Sequence, residues 1–218
     1  RLAAMGLENR APTGAEMAAM KSIVSEGLEA GALGLSSGLV YDPGRFASTG
    51  ELVELATLLR GTGALYATHM RDESSGLLDS VREAIEIGEK AGVAVQISHH
   101  KASGRSAWGL VRESLKLIEA AQRRGLDVHA DQYPYTAGST ILAAVYRDGK
   151  LRGVLGDLGP EDIVSASTAR HPEWEGESMA GLAAAMACSP EEAAARILAE
   201  DSGVTVVLHA MSEEDVRT

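Results

Sequence analysis

Two short stretches decide how this chain is read: "LYATHMRDE" (Leu65–Glu73) and "VAVQISHHK" (Val93–Lys101). Each begins as an apolar run suited to a buried β-strand and ends abruptly on a histidine followed by charged residues. His69 and His99 close the two runs thirty residues apart. Working outward from them, the same rhythm extends in both directions. "ALGLSS" (32–37) and "LDVHADQY" (126–133) are strand-like, and Ser36 and Asp131 stand at their polar ends. The steps from Ser36 to His69, His99 and Asp131 are 33, 30 and 32 residues, the length of one strand, one helix and two loops.

The intervening segments are helical by pattern. Residues 14–31, 50–63, 77–92 and 108–125 carry Leu, Ile, Val and Ala at three- and four-residue steps, and each ends at glycine. Strands alternating with such helices form βαβ units on a parallel sheet. That arrangement fits either a doubly wound sheet or a (β/α)₈ barrel, and periodicity alone does not choose between them. In both, ligands meet the carboxyl ends of the strands, where the four polar residues fall. The expected organisation is barrel-type βα repeats over 1–140, a mainly helical insertion over 141–202, and a strand with the start of a helix over 203–218 that returns to the repeat. Within the insertion, Gly-rich "YRDGKLRGVLGDLGPEDI" (146–163) reads as loop. "SPEE" (189–192) reads as a capped helix start with Pro190 in the first turn.

Composition narrows the function. The 218 residues are 45% hydrophobic and 23% charged, ordinary for a globular chain with a sizeable core. A net charge of −11 with no basic cluster argues against a phosphate-backbone binder, so no nucleic-acid partner is expected. Cys188 is a single cysteine: it forms no internal disulfide, rules out a cysteine-based structural zinc site, and reads as a small buried hydrophobe. No apolar run approaches membrane-spanning length and no signal peptide is present, so the expectation is a cytoplasmic protein without a membrane partner. The opening residue is Arg1, which suggests a piece of a longer chain.

The histidines carry the chemistry. An imidazole at the tip of a parallel strand either hydrogen-bonds its own loop or offers a nitrogen to a metal. Two at equivalent positions of successive repeats favour a shared metal, and Zn²⁺ accepts nitrogen ligands at about 2.0–2.1 Å. His100 should face the helix layer, His129 should pair with an acid, and His171 and His209 are weaker candidates. Arg71 and Lys101 each lie two residues past a candidate ligand and are placed to receive an anionic group. Tyr133 and Tyr135 in "DQYPYTAGST" could donate to a developing oxyanion, and Tyr41 could line the pocket.

Taken together, "GALGLSSGLVYDPG", "YATHMRDE", "ISHHKASGRSAWG" and "DQYPYTAGST" resemble the N-acyl-D-amino-acid deacylases (D-aminoacylases) of the amidohydrolase superfamily, and the likeness runs on to "VVLHAMSEEDV". The resemblance implies a metal-dependent (β/α)₈ barrel of the TIM type. It makes His69 and His99 zinc ligands from the fifth and sixth strands, Lys101 and Tyr133 substrate contacts, and Tyr41 part of the side-chain pocket. The implied cofactor is Zn²⁺ and the implied partner is a small-molecule N-acyl-D-amino acid. The implied reaction is amide hydrolysis through a zinc-bound hydroxide, giving a carboxylate and a free D-amino acid.

The departures from the family pattern matter as much. No H-x-H pair is present, Cys188 lies in the wrong context for the bridging cysteine, and the strand bearing the general-base aspartate is expected further downstream. No catalytic residue is therefore assigned within the stretch, which is expected to span about strands four to seven of the barrel. Such a piece should bind zinc weakly alone, show no deacylase activity, and either self-associate through its open edges or rearrange. Two other readings are an amidohydrolase of cyclic amides, of dihydropyrimidinase or dihydroorotase type, and a non-catalytic α/β domain with structural histidines. The first usually carries a lysine on the fourth strand, and "ALGLSS" has none.

Overall fold

The computed structural model describes residues 1–151 and 157–218. Part of the Gly-rich loop expected over 146–163 lies outside the described residues. The chain divides into two compact units, Arg1–His100 with Arg112–Gln132, and Lys101–Val111 with Tyr133–Thr218.

The first unit holds the βα repeats. After α1 (Leu2–Met5), α2 (Gly14–Glu29) starts at a capping box in which Thr13 and Glu16 satisfy each other's backbone donors. There follow β1 (Gly34–Gly38), α3 (Thr49–Ala56), β2 (Leu65–His69), α4 (Leu77–Ala91), β3 (Val95–Ile97), α5 (Leu110–Arg123) and β4 (Val128–Ala130). The strands run parallel in the order β1-β2-β3-β4, so each repeat pairs with the one before it. Helices α2, α4 and α5 begin and end within two residues of where apolar spacing and glycine put them, while α3 stops at Ala56, short of Gly63. Gly92, for instance, closes α4 in the left-handed conformation at φ 71°.

The sheet's two faces differ. Tyr66, Thr68, Val95, Ile97 and Val128 point to the helix layer and are buried, Tyr66 completely. Their neighbours Leu65, Ala67, Gln96 and His129 alternate to the other face and remain partly or fully exposed. Parallel sheets are ordinarily covered on both faces. Within this unit the helices cover one. Close contact on that face needs small residues: a Cβ added to Gly88 of α4 would lie 2.4 Å from Val95 Cγ2. The Ser37 hydroxyl joins Tyr66 Oη (2.6 Å) and Thr68 Oγ1 (3.0 Å), so the polar groups buried at this layer are satisfied.

The second unit contains β5 (Gly138–Ile141), α6 (Leu142–Val145), the short pair β6 (Tyr146–Arg147) and β7 (Lys150–Leu151), β8 (Ile163–Ser167), α7 (Met179–Ala185), α8 (Pro190–Glu200), β9 (Thr205–Leu208) and α9 (Glu213–Val216). Leu142, Val145, Ile163, Met179, Ile197 and Val206 form its core. Burying a side chain of this size stabilises by about 1.5–3 kcal/mol. The capped helix at Ser189 forms as the sequence suggests, with Ser189 and Glu192 completing a capping box. The segment 203–218 was expected to return to the parallel repeat. β9 is the centre of an antiparallel sheet, β5-β9-β8, whose two partners both precede α7 and α8 in the chain. Among the described residues no helix is long and apolar enough to cross a membrane.

Candidate metal centre

His69 is the last residue of β2 and pairs in register with Gly38 of β1. Because side chains alternate along a strand, His69 shares the less covered face with Leu65 and Ala67, while Thr68 turns to the helices. His99 lies two residues beyond the end of β3 and adopts φ 41°, a left-handed conformation that costs an ordinary L-residue about 1–2 kcal/mol. The chain end of β4 holds it there. The His99 backbone N–H donates to Asp131 Oδ1 at 2.6 Å, and Gln96 Nε2 donates to Oδ2 at 2.7 Å. Asp131 N–H donates to the Ile97 carbonyl, and its own carbonyl accepts from His100 N–H. So clamped, the His99 ring meets His69 edge-on, with ring centroids 4.4 Å apart. Nδ1 of His69 and Nε2 of His99 are 2.8 Å from each other.

A third residue completes the group. Glu73, four residues after His69, is buried at 6% exposure. Its Oε1 lies 3.0 Å from His99 Nδ1, and its Oε2 lies 3.8 Å from His69 Nε2. The turn between them explains how it folds back. Arg71 forms paired bonds to Glu83 (3.0 and 2.9 Å) and donates to the carbonyls of Arg45 and Ala47, which pins the start of the loop. Asp72 accepts from the Ser74 N–H and hydroxyl, and its own N–H donates to Ser80 Oγ. Glu73 lies between these two anchors and turns inward.

His69, Glu73 and His99 each offer one ligand atom, all within 4.8 Å of one another. Two ligands of a tetrahedral zinc site lie roughly 3.3 Å apart, close to the spacing of the facing imidazole nitrogens. Two neutral imidazoles and a buried carboxylate leave a local negative charge that a divalent cation would offset. The donor set fits the group.

The other sequence candidates fall in separate places. Tyr41, on the loop after β1, sets its ring 5.1 Å from His69, beside a cavity of about 400 Å³ lined by Ser36, Ser37 and Gly38. The expected anion-receiving group of Arg71 is engaged by Glu83 and the two carbonyls, and that engagement holds its pKa above the usual guanidinium value, the Glu83 hydrogen bond first. In the second unit, Lys101 Nζ lies 5.8 Å from the ring centroid of Tyr133, and Tyr133 stacks against Tyr135. Gly138 leaves room for the Tyr133 hydroxyl, since a Cβ there would come within 2.7 Å of it. The loop carrying Lys101 is tied down by Arg105 on Asp162 (2.8 and 2.9 Å), by Gly104 N–H and Trp108 Nε1–H on the Ala210 carbonyl, and by Gly109 N–H on Asp215. The Arg105 hydrogen bond holds the Asp162 carboxyl below its ordinary value.

The remaining histidines have local partners: His100 with Ser114 on α5 (2.7 Å), exposed His129 with Asp127, and His171 with Glu173 and Glu200. His209 N–H donates to the Asp162 carbonyl. Cys188 is half-buried against the second core. Glu73 lies outside the strand-tip pattern that singles out the two histidines. An acid four residues past a strand-end histidine, preceded by Arg71 and Asp72, is the available signal.

No protein-family model matches the chain. Among curated proteins, it is 36% identical over 217 residues to an N-acyl-D-glutamate deacylase of Alcaligenes xylosoxydans xylosoxydans, an alignment covering 100% of this chain and 42% of the relative. It is 45% identical over 142 residues to a D-aminoacylase of the same organism, covering 65% of this chain and 29% of that one. Its fold superposes with a TM-score of 0.83 and 34% identity on the N-acyl-D-glutamate deacylase of Bordetella bronchiseptica, crystallised with zinc and a phosphonate mimic of the tetrahedral intermediate, over 96% of this chain and 42% of that chain. Over its whole length the chain is similar to N-acyl-D-amino-acid deacylases. A D-aminoacylase structure described as defining a novel subset of amidohydrolases matches it with a TM-score of 0.81 and 33% identity, over 96% of this chain and 41% of that one. The chain thus spans less than half the length of these deacylases, within the α/β architecture that it shares with them.

Proposed function

We propose that this chain supplies the β2 and β3 ligands of the metal centre in a zinc-dependent N-acyl-D-amino-acid deacylase. The reaction is hydrolysis of the amide of a small N-acyl-D-amino acid to a carboxylate and the free D-amino acid. The observation that carries the reading is the convergence of His69 and His99, with facing nitrogens 2.8 Å apart, on strand tips one repeat apart. When bound, zinc supplies Lewis acidity, which lowers the pKa of water and polarises a carbonyl. The chain's own residues do the rest. His69 and His99 hold the metal, Tyr41 borders the pocket for the amino-acid side chain, and Lys101 and Tyr133 contact the substrate. Arg71 acts one step back, by fixing the turn that carries Glu73.

The finer architecture belongs to the same reading. A sheet whose order follows the sequence, 1-2-3-4, with no switch of direction, is the arrangement of a (β/α)₈ barrel wall and differs from a doubly wound sheet. Its less covered face then corresponds to the barrel interior, and strands β1 to β4 to about the fourth to seventh of eight. The readings as a cyclic amidohydrolase or a non-catalytic domain have no comparable support. The test is hydrolysis of N-acetyl-D-methionine, N-acetyl-D-glutamate and their L enantiomers by the complete gene product. Turnover confined to the D series and abolished by chelation is expected, and a preference for the L series would refute the assignment.

A further inference from the structure

Resting on that reading of the histidines as ligands, the geometry points to Glu73 as a positioning residue that orients both imidazoles at once. Each ring has two nitrogens with different neighbours. Nδ1 of His69 and Nε2 of His99 face each other at 2.8 Å. The other two, Nε2 of His69 and Nδ1 of His99, face opposite oxygens of the one carboxylate, at 3.8 and 3.0 Å. A histidine that gives one nitrogen to a metal must carry its proton on the other, and a carboxylate at that proton fixes tautomer and ring angle. Glu73 stands within ion-pair distance of that nitrogen on both rings, nearer on His99, although its Oε1 and His69 Nε2 form no hydrogen bond among the described residues.

Three further features favour this role over that of a third ligand. The carboxylate side chain is 4% exposed against 19% for His69 and 30% for His99, so it is the least accessible of the three groups. Its shorter contact is to the outer nitrogen of His99, the nitrogen not facing His69. Its turn is braced from both sides, by Arg71 on Glu83 and by Asp72 on Ser74, the support an orienting group needs. His99 is then held from two directions, at its backbone by Asp131 and at its ring by Glu73.

The experiment measures zinc affinity by chelator competition, and the visible spectrum of the cobalt(II) form, for the complete gene product with Glu73→Gln, Glu73→Asp and, as control, His99→Ala. Glu73→Gln keeps the shape and loses the charge, while Glu73→Asp keeps the charge and loses the reach. Both are expected to bind zinc roughly 10- to 100-fold more weakly. Melting temperatures should stay near that of the parent, and the cobalt(II) bands should keep their position and intensity. Zinc affinity within twofold of the parent in either folded variant would overturn the inference. A changed cobalt(II) band intensity in Glu73→Gln would also overturn it, by making Glu73 a direct ligand. If Glu73→Gln does not fold, Glu73→Asp alone decides by the same criteria. If His99→Ala retains zinc, the metal assignment itself fails, an outcome separate from any result at Glu73.

Discussion

Replacing Asp131 with alanine tests whether the strand after the metal centre shapes it. The carboxylate accepts the His99 N–H at 2.6 Å while that residue is held at φ 41°. A hydrogen bond to a charged group contributes about 1.5–3 kcal/mol net, and the exposure of Asp131 argues for the lower end. The left-handed backbone costs about 1–2 kcal/mol, so bond and strain are nearly matched. Without the bond, the extended conformation becomes competitive, and a relaxed His99 would withdraw its Nε2 from His69. A loss of about 1.4 kcal/mol of ordering corresponds to roughly tenfold weaker zinc binding. Asp131→Asn keeps a neutral acceptor and should fall between the two. Zinc competition measures the effect, and a crystal structure of Asp131→Ala locates the His99 backbone. Unchanged affinity with φ still positive at residue 99 would refute the reasoning.

Other predictions probe the framework. Gly88→Ala gains up to about 1 kcal/mol of helix propensity but drives a Cβ to 2.4 Å from Val95 Cγ2, and overpacking of that kind costs about 1–3 kcal/mol, so urea denaturation should show net destabilisation. Gly138→Ala displaces the Tyr133 hydroxyl; if Tyr133 meets the substrate, kcat/KM should fall by roughly 10- to 100-fold with zinc content unchanged. His171 has its pKa raised, first by its hydrogen bond to Glu173, with Glu200 adding attraction against desolvation. Its folded value therefore lies above its unfolded value of 6.5, and the stabilisation is complete below that pH and is lost as pH rises through the folded value. His171→Gln should flatten the melting profile in that window, and high salt should shrink the difference in the parent, because the pair is at the surface.

What the sequence disclosed follows from which interactions are local. Helices α2 to α5 and strands β1 to β4 are written in apolar periodicity and glycine stops, and the thirty-residue step sets His69 and His99 at equivalent strand ends. The facing nitrogens follow from that register. Less legible was anything set by long-range pairing. β9 reads as one more strand of the repeat, yet its partners β5 and β8 lie some forty to seventy residues earlier and run antiparallel to it. Glu73 depends on a turn braced by Glu83 and by the Arg45 and Ala47 carbonyls, none adjacent in sequence. Arg71 takes part in the same bracing, its fork on Glu83 and on the two carbonyls. Asp131 was visible as a polar strand end, but its grip on the His99 backbone depends on an unusual φ that no residue pattern announces.

The measurement that bears most directly on the metal centre is zinc per chain, by plasma mass spectrometry, in the complete gene product purified without chelators and dialysed. The parent should retain zinc, and His69→Ala and His99→Ala should each lose most of it while keeping their circular dichroism. His100→Ala, whose ring faces Ser114 on the helix side, should keep the parent's content. Zinc retained in full by both His69→Ala and His99→Ala would contradict the assignment of these two strand tips as ligands.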